Sequence, residues 1–271
     1  MFTDAPLAGN QLALFADAAQ LSAPQMQRLA RELNLSETAF VLAPRQGGDA
    51  RVRIFTPAAE LPFAGHPVLG AAVALGLERG AERVVVETGS GLVPVALRRT
   101  GERTAYGCMR QPIPVWQAFG ARAQLLAALG VERSQLPVER YVNGPSHVYV
   151  GLGGEAAVAA LAPDLRALGA LGELCVSCFA GSGGRWKTRV FAPALGVDED
   201  PATGSAAGPL AVHLARHGAI AFGQQIEIRQ GAEVGRASLL HARALGSERA
   251  LERVEVGGSA VIVSRGEFLL P

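Results

Sequence analysis

An internal repeat constrains this chain more than any other feature. Arg53-Ile-Phe55-Thr-Pro57 returns 136 residues later as Arg189-Val-Phe191-Ala-Pro193. After three inserted residues, Pro62-Phe-Ala-Gly65-His66 faces Pro201-Ala-Thr-Gly204-Ser205, and the apolar runs Val68 to Leu77 and Ala206 to Leu214 then continue in parallel. Gly9-Asn10 has a weaker counterpart around Gly144. The offset is half of the 271 residues. Chance similarity in a Gly/Ala-rich chain is the plain alternative. The repeated order of strand, Gly-led loop and apolar helix favours a duplicated α+β unit with its copies packed about a pseudo-two-fold axis. The cleft between such copies is a common place for a small ligand.

Local signals predict the elements of that unit. Ser22-Ala-Pro24-Gln25 reads as a capping box that opens a helix to Leu33, stopped at Asn34. Ser36 to Leu42, Ala50 to Phe55, Arg83 to Glu87 and Leu92 to Leu97 read as strands. His66-Pro67 opens a central helix ending at Gly80, with Pro at its first position. Gly204-Ser205 caps its partner, which runs to His217 and stops at Gly218, although Pro209 lies deep for a first turn. Strands grouped around a central helix, without βαβ alternation, make the class α+β. The repeat divides the chain after residue 114.

Composition removes whole classes of function. Hydrophobic residues make up 49% and charged ones 18%, so a sizeable core is available and disorder is not expected. Lys+Arg number 25 against 24 Asp+Glu with no basic block, which argues against nucleic-acid and membrane-surface partners. Lys187 is the only lysine, so Schiff-base chemistry has a single candidate. Three cysteines, Cys108, Cys175 and Cys178, give no disulfide framework. With neither a signal-peptide pattern nor an apolar span near 20 residues, a cytoplasmic protein is expected.

Several motifs fall short of the chemistry they resemble. Gly181-Ser-Gly-Gly-Arg-Trp186-Lys187-Thr188 puts Trp186 where a phosphate-binding loop needs glycine, and leads into a strand rather than a helix. It reads as a flexible surface loop or a lid. Gly151-Leu-Gly153-Gly154 lacks the last glycine of a dinucleotide fingerprint. Cys175-Val-Ser-Cys178 has redox or zinc spacing but no second pair, and buried structural cysteines are the plainer reading. His213 and His217 share a helix face without a third ligand in sequence, so no metal is expected.

Three polar residues sit where the repeat places loops at the cleft. Glu37 starts an apolar strand, His66 opens one central helix, and Asp200 precedes the other. Two helix N-termini there would suit a substrate carboxylate. A half-buried glutamate acquires a raised pKa and works as a general acid/base near neutrality, and His66 and Asp200 are placed to hydrogen-bond across the cleft. Each also has a plain structural reading, as surface acid, N-cap and loop cap. Their joint placement favours function.

Ser36-Glu37-Thr-Ala-Phe40, Arg53-Ile-Phe-Thr-Pro57, Pro62-Phe-Ala-Gly65-His66-Pro-Val-Leu-Gly70 and Asp200-Pro-Ala-Thr-Gly204-Ser205 resemble the PhzF-like phenazine-biosynthesis isomerase family. Gly9-Asn10, Gln230-Gly231 with Gly235-Arg236, and Val256-Gly257-Gly258 extend the resemblance along the whole chain. The resemblance implies a duplicated diaminopimelate epimerase-like fold, two similar domains each with a mostly antiparallel sheet or barrel around one helix, the first 1–114 with 255–271 returning to it and the second 115–254. It also implies a homodimer and isomerisation by proton transfer on a small carboxylate-bearing substrate, a dihydro-hydroxyanthranilate or a similar ring or amino acid, with no cofactor. The family's acid/base glutamate falls on Glu37, its other catalytic residues on His66 and Asp200, and its substrate-binding positions on Gly65, Gly204 and Ser205. Two departures stand out. Related epimerases carry paired cysteines at the helix tips, absent here, and the chain opens almost directly on Phe2-Thr3, so either a truncated start or a short first strand is expected. The alternatives are a non-catalytic ligand-binding module on this fold, and a thiol or metal enzyme using Cys175 and Cys178.

Overall fold

The structure, a computed structural model, describes residues 1–269. The first copy comprises β1 (Ala13–Phe15), α1 (Ala23–Leu33), β2 (Thr38–Leu42), β3 (Ala50–Phe55), β4 (Glu60–Leu61), α2 (Gly65–Arg79), β5 (Arg83–Thr88), β6 (Gly91–Arg99) and β7 (Thr104–Gln111). The second begins with β8 (Val115–Ala118), α3 (Arg122–Leu129) and β9 (Glu139–Val142), which have no counterpart in the first. It continues through β10 (Ser146–Gly151), α4 (Glu155–Ala159), α5 (Leu165–Gly169), β11 (Cys175–Ser182) and β12 (Arg185–Ala192). After a 3-10 turn at Pro193–Leu195 come β13 (Val197–Asp200), α6 (Gly204–Arg216), β14 (Gln225–Gln230), β15 (Ser238–Gly246) and β16 (Leu251–Val261).

The duplication is written into the strand order, β1-β2-β3-β5-β6-β7-β16-β15-β14-β12-β11-β10, continued by β9 and β8. As far as β10 this is a palindrome about the β7–β16 seam. Strand directions repeat as well. β1/β2 and β10/β11 are parallel, β2/β3 and β11/β12 antiparallel, and β3/β5 and β12/β14 parallel. The short β4 and β13 attach to equivalent strands, β3 and β12. β16 pairs antiparallel with β7 from Val254 opposite Gln111 to Val261 opposite Thr104, so the chain's late residues join the two copies.

Each copy wraps its sheet around one helix. An unbroken buried run from Gly65 to Val73 makes α2 apolar on every side, the pattern of a helix enclosed by its surroundings. Each of Val68, Leu69 and Val73 contributes on the order of 1.5–3 kcal/mol by leaving water. By contrast α1 is amphipathic, burying Met26, Leu29 and Ala30 against Phe40 and Phe55 on the outside of β2 and β3. The expected stops hold: Asn34 ends α1 in the left-handed conformation (φ 49°), and Gly80 ends α2 likewise (φ 66°).

The position of Pro209 inside α6 finds its explanation in side chains from the sheet. Proline cannot donate to the carbonyl one turn earlier, that of Ser205. Asn143 Nδ2 donates to that oxygen instead at 3.0 Å, while Tyr149 Oη serves Ala206 O at 2.6 Å and Gln111 Nε2 serves Gly204 O at 2.8 Å. These bonds fix where the tip of α6 lies. Among the described residues, no helix is long and apolar enough to cross a membrane.

Candidate active site

The site lies where the starts of α2 and α6 meet. A Cβ on Gly65 would stand 3.0 Å from Ser205 N and 3.1 Å from Gly204 C, and one on Gly204 would stand 2.9 Å from the Phe2 ring. Only glycine lets the tips approach so closely. Ala64 and Thr203 are the N-cap residues, and neither side chain caps its own helix. The first-turn amides, which no helical carbonyl reaches, therefore gather at one place with both positive dipole ends. Two sequence expectations are corrected here. Pro67 is the third residue of α2 rather than the first, and Thr203 precedes α6 where Gly204-Ser205 was expected to cap it.

Glu37, His66 and Asp200 converge on these tips. Glu37 Oε2 stands 3.4 Å from His66 Nε2, and both atoms are buried without a hydrogen-bond partner. Burial pushes the Glu37 carboxyl up to about 7, against a weaker opposing effect from the Ser36 hydroxyl. Burial also pushes His66 down to about 4, offset in part by the charge of Asp200, so the imidazole is neutral at physiological pH. Asp200 is raised to about 6 by burial and then by the charge of Glu37, while His66, Thr203 and Asn10 oppose the rise. The expected hydrogen bond between His66 and Asp200 does not form. Asp200 Oδ1 accepts from Asn10 Nδ2 at 2.8 Å and Oδ2 from Thr203 Oγ1 at 2.6 Å, so both oxygens are already engaged.

The duplication shows how one-sided the site is. Thr38 pairs with Phe55, and Val176 with Phe191, the repeat's twin of Phe55. The residue before each is Glu37 in the first copy and Cys175 in the second. By the same repeat His66 corresponds to Ser205, and Asp200 to Leu61. Burial, then Asp200 and Glu37, push the Cys175 thiol up to about 12. One copy thus carries a carboxyl that burial raises toward neutrality, and its twin position carries a thiol that burial raises away from it.

Other candidates do not join this centre. Cys175 and Cys178 lie three apart on β11, so their side chains leave opposite faces and enter separate apolar clusters. That geometry contradicts a shared thiol or metal site. Lys187 pairs with Glu233 at 2.6 Å on β12. The Gly181–Thr188 segment, expected to be flexible or a lid, is a β11–β12 hairpin closed by the pair Ser182–Arg185. With Gly153, Gly154, Glu227 and Arg229 it lines a surface cleft of about 760 Å³, remote in lining from Glu37, His66 and Asp200. Among the described residues, Glu139, His213 and His217 form a group of metal-ligand type. The Glu139 oxygen involved is already neutralised by Arg216 at 2.7 Å and accepts from Tyr141 at 2.9 Å.

Sequence reasoning gave no role to Asn10, Thr203 or Gln230, which hold Asp200 and its loop. Asn10 and Gln230 stood in motifs that marked the family resemblance, and Thr203 stood inside the Asp-Pro-Ala-Thr-Gly-Ser run. Their contacts cross up to 192 positions of sequence, which motif spacing does not reveal.

A duplicated α+β fold with a buried, unpartnered carboxyl oxygen between abutting helix tips is the build of the diaminopimelate epimerase-like fold. A family profile described as phenazine biosynthesis-like protein matches residues 1–266, and the chain belongs to that family. It is 56% identical over 269 residues to a trans-2,3-dihydro-3-hydroxyanthranilate isomerase of Pseudomonas chlororaphis, covering 99% of this chain and 97% of that protein. A PhzF-family phenazine biosynthesis protein of Bacillus anthracis superimposes with TM-score 0.86 at 23% identity over 99% and 96% of the two chains. A hydroxyproline epimerase of Agrobacterium vitis shares the fold more distantly, with TM-score 0.60 at 13% identity over 89% and 79%. The chain is an isomerase.

Proposed function

We propose that the protein isomerises trans-2,3-dihydro-3-hydroxyanthranilate, or a ring carboxylate closely like it, by cofactor-independent proton transfer through Glu37. The observation that carries this reading is the buried, unpartnered Glu37 oxygen beside His66, on a carboxyl group poised near neutrality. In such a substrate the hydrogen on the hydroxyl-bearing carbon is allylic to a diene conjugated with the carboxylate. Glu37 removes it, and the electron pair left behind spreads along the diene into the carboxylate. The amides at Gly65, Gly204 and Ser205, with two helix dipoles behind them, stabilise that charge. Glu37 then returns the proton to another ring carbon, leaving an enol that relaxes to the ketone. His66, neutral, and Asp200, held by Asn10 and Thr203, orient the hydroxyl and amine.

Support for the substrate comes from the identity to the Pseudomonas chlororaphis isomerase along nearly the whole chain. We read the molecule as a cytoplasmic homodimer of two units, 1–114 with 255–271 and 115–254, a reading that rests on the family resemblance and the unpaired cysteines. The test is chromatographic: the purified protein should consume trans-2,3-dihydro-3-hydroxyanthranilate in the presence of a chelator, and Glu37→Gln should not. No consumption by folded wild-type protein would refute the substrate. Full activity of Glu37→Gln would refute the mechanism.

A further inference from the structure

We infer that Gln230 is a positioning residue for Asp200, acting through the hydroxyl of Thr203. Gln230 ends β14 and is 4% exposed. Its Nε2 donates to Asp200 O at 2.7 Å and to Thr203 Oγ1 at 2.9 Å. Its Oε1 accepts from Thr203 N at 3.3 Å and from Thr188 Oγ1 at 3.2 Å. One carboxamide therefore grips both ends of the Asp200-Pro-Ala-Thr203 loop that delivers Asp200 to the tip of α6.

The orientation of that carboxamide is determined by its partners. Flipping it would set its NH2 against the Thr203 N–H and its oxygen against the Asp200 carbonyl, losing one bond at each. With Nε2 donating to Thr203 Oγ1, the single hydroxyl proton of Thr203 is free to point elsewhere, and Asp200 Oδ2 lies 2.6 Å away. Gln230 thus holds the Thr203 hydroxyl by its oxygen and leaves its proton directed at Asp200, which as a carboxylate can only accept. The other oxygen is held from the first copy by Asn10, which also donates to Ala202 O at 2.9 Å and whose Oδ1 takes the Ser36 hydroxyl at 3.3 Å. Asp200 therefore has a fixed donor on each oxygen, while Glu37 Oε2 has none. Two buried carboxyls in one site are in this way given different tasks: Asp200 stays a fixed acceptor, and Glu37 is left to exchange protons.

Three other titratable groups act on Asp200 or are raised by it: Glu37 from the start of β2, His66 from α2 and Cys175 from β11. None of them bonds to Gln230 or Thr203, so substitutions at these two positions remove no hydrogen bond of those three groups. This inference rests on the role proposed above for Asp200, and its test does not need a substrate. Protein labelled with 13C at aspartate carboxyls is titrated by NMR, with the Asp200 signal assigned by its loss in Asp200→Asn. Removing a donor from an ionised carboxylate disfavours the charged form. Gln230→Leu and Thr203→Val should therefore each move the Asp200 inflection upward by roughly one pH unit, the scale of one hydrogen bond to a charged group. The double variant should move it no further than the larger single shift, and Thr203→Ser should restore the wild-type value. Should Gln230→Leu not fold, Gln230→Met, of similar length but without the carboxamide, takes its place in the same titration. An unmoved inflection in folded variants overturns the inference whatever the protein turns over. A moved inflection in a protein that consumes no dihydro-hydroxyanthranilate upholds it and refutes the substrate instead.

Discussion

Replacing Glu37 by glutamine should impair catalysis while improving stability, and only above a certain pH. In the folded chain burial raises the Glu37 carboxyl from 4.5 to about 7. An ordinary carboxyl would be protonated in about 0.3% of molecules at pH 7, whereas this one is protonated in roughly half, so both halves of a proton shuttle are available. Because the folded state binds that proton more tightly than the unfolded state, wild-type stability falls as pH rises from about 4.5 through 7. The full penalty is on the order of 3 kcal/mol. Glutamine has no such penalty, although its unpaired amide costs about 1–3 kcal/mol at every pH. The pH-dependent part is therefore the informative quantity. Between pH 5 and pH 8 the stability of Glu37→Gln relative to wild type should improve by about 2–3 kcal/mol, or roughly 5–10 °C in Tm. Turnover should fall by about 10²–10⁴. Urea unfolding at the two pH values, paired with a rate assay, measures both. A stability difference that stays flat between pH 5 and pH 8 would refute the burial argument, whatever the rates show.

The remaining expectations follow from the same geometry. If Glu37 begins the cycle as the base, kcat/KM should fall as pH drops through about 7, and His66, already neutral, should add no limb of its own above pH 5; a rate flat from pH 8 to 6 would contradict this. Gly204→Ala sets a methyl group 2.9 Å from the Phe2 ring and should cost about 1–3 kcal/mol of stability, together with a raised KM, measured by denaturant unfolding and initial rates. Asn143→Ala leaves the Ser205 carbonyl unpaired beside Pro209 and should cost about 1–3 kcal/mol, readable as a lowered urea midpoint. Cys175→Ala should keep turnover within a few-fold of wild type, since its thiol is un-ionised at neutral pH; a loss as large as that of Glu37→Gln would restore the thiol alternative.

Much of this architecture is legible in the sequence because its signals are local or periodic. The repeat from Arg53 to His66 and from Arg189 to Ser205 marks the equivalent strands β3 and β12 and both central helices. Asn34, Gly80 and Gly218 mark the helix ends. Glu37, His66 and Asp200 are visible as polar residues at the ends of apolar segments. What the sequence does not reveal is pairing across distance. The β7–β16 seam joins segments separated by some 150 residues, and β8–α3–β9 breaks the repeat with nothing to announce it. The Asp200 carboxylate looked free to meet His66 because one true partner, Asn10, is brought by packing of the two copies, and the other, Thr203, reaches it through the turn of their own loop. Pro209 looked misplaced for a related reason: the group that serves its orphaned carbonyl, Asn143, comes from the distant turn between β9 and β10.

Proton NMR of the wild-type protein with trans-2,3-dihydro-3-hydroxyanthranilate in D₂O tests the central claim most directly. A single glutamate that removes a proton from one ring carbon and returns one to another should place deuterium at the newly protonated carbon, to the extent that Glu37 exchanges with solvent during the cycle. The account requires ring isomerisation to the ketone with partial or full deuterium at that carbon, in protein treated with chelator and thiol-blocking reagent. Isomerisation that stops on either treatment would contradict it, as would an unchanged substrate in the presence of folded protein.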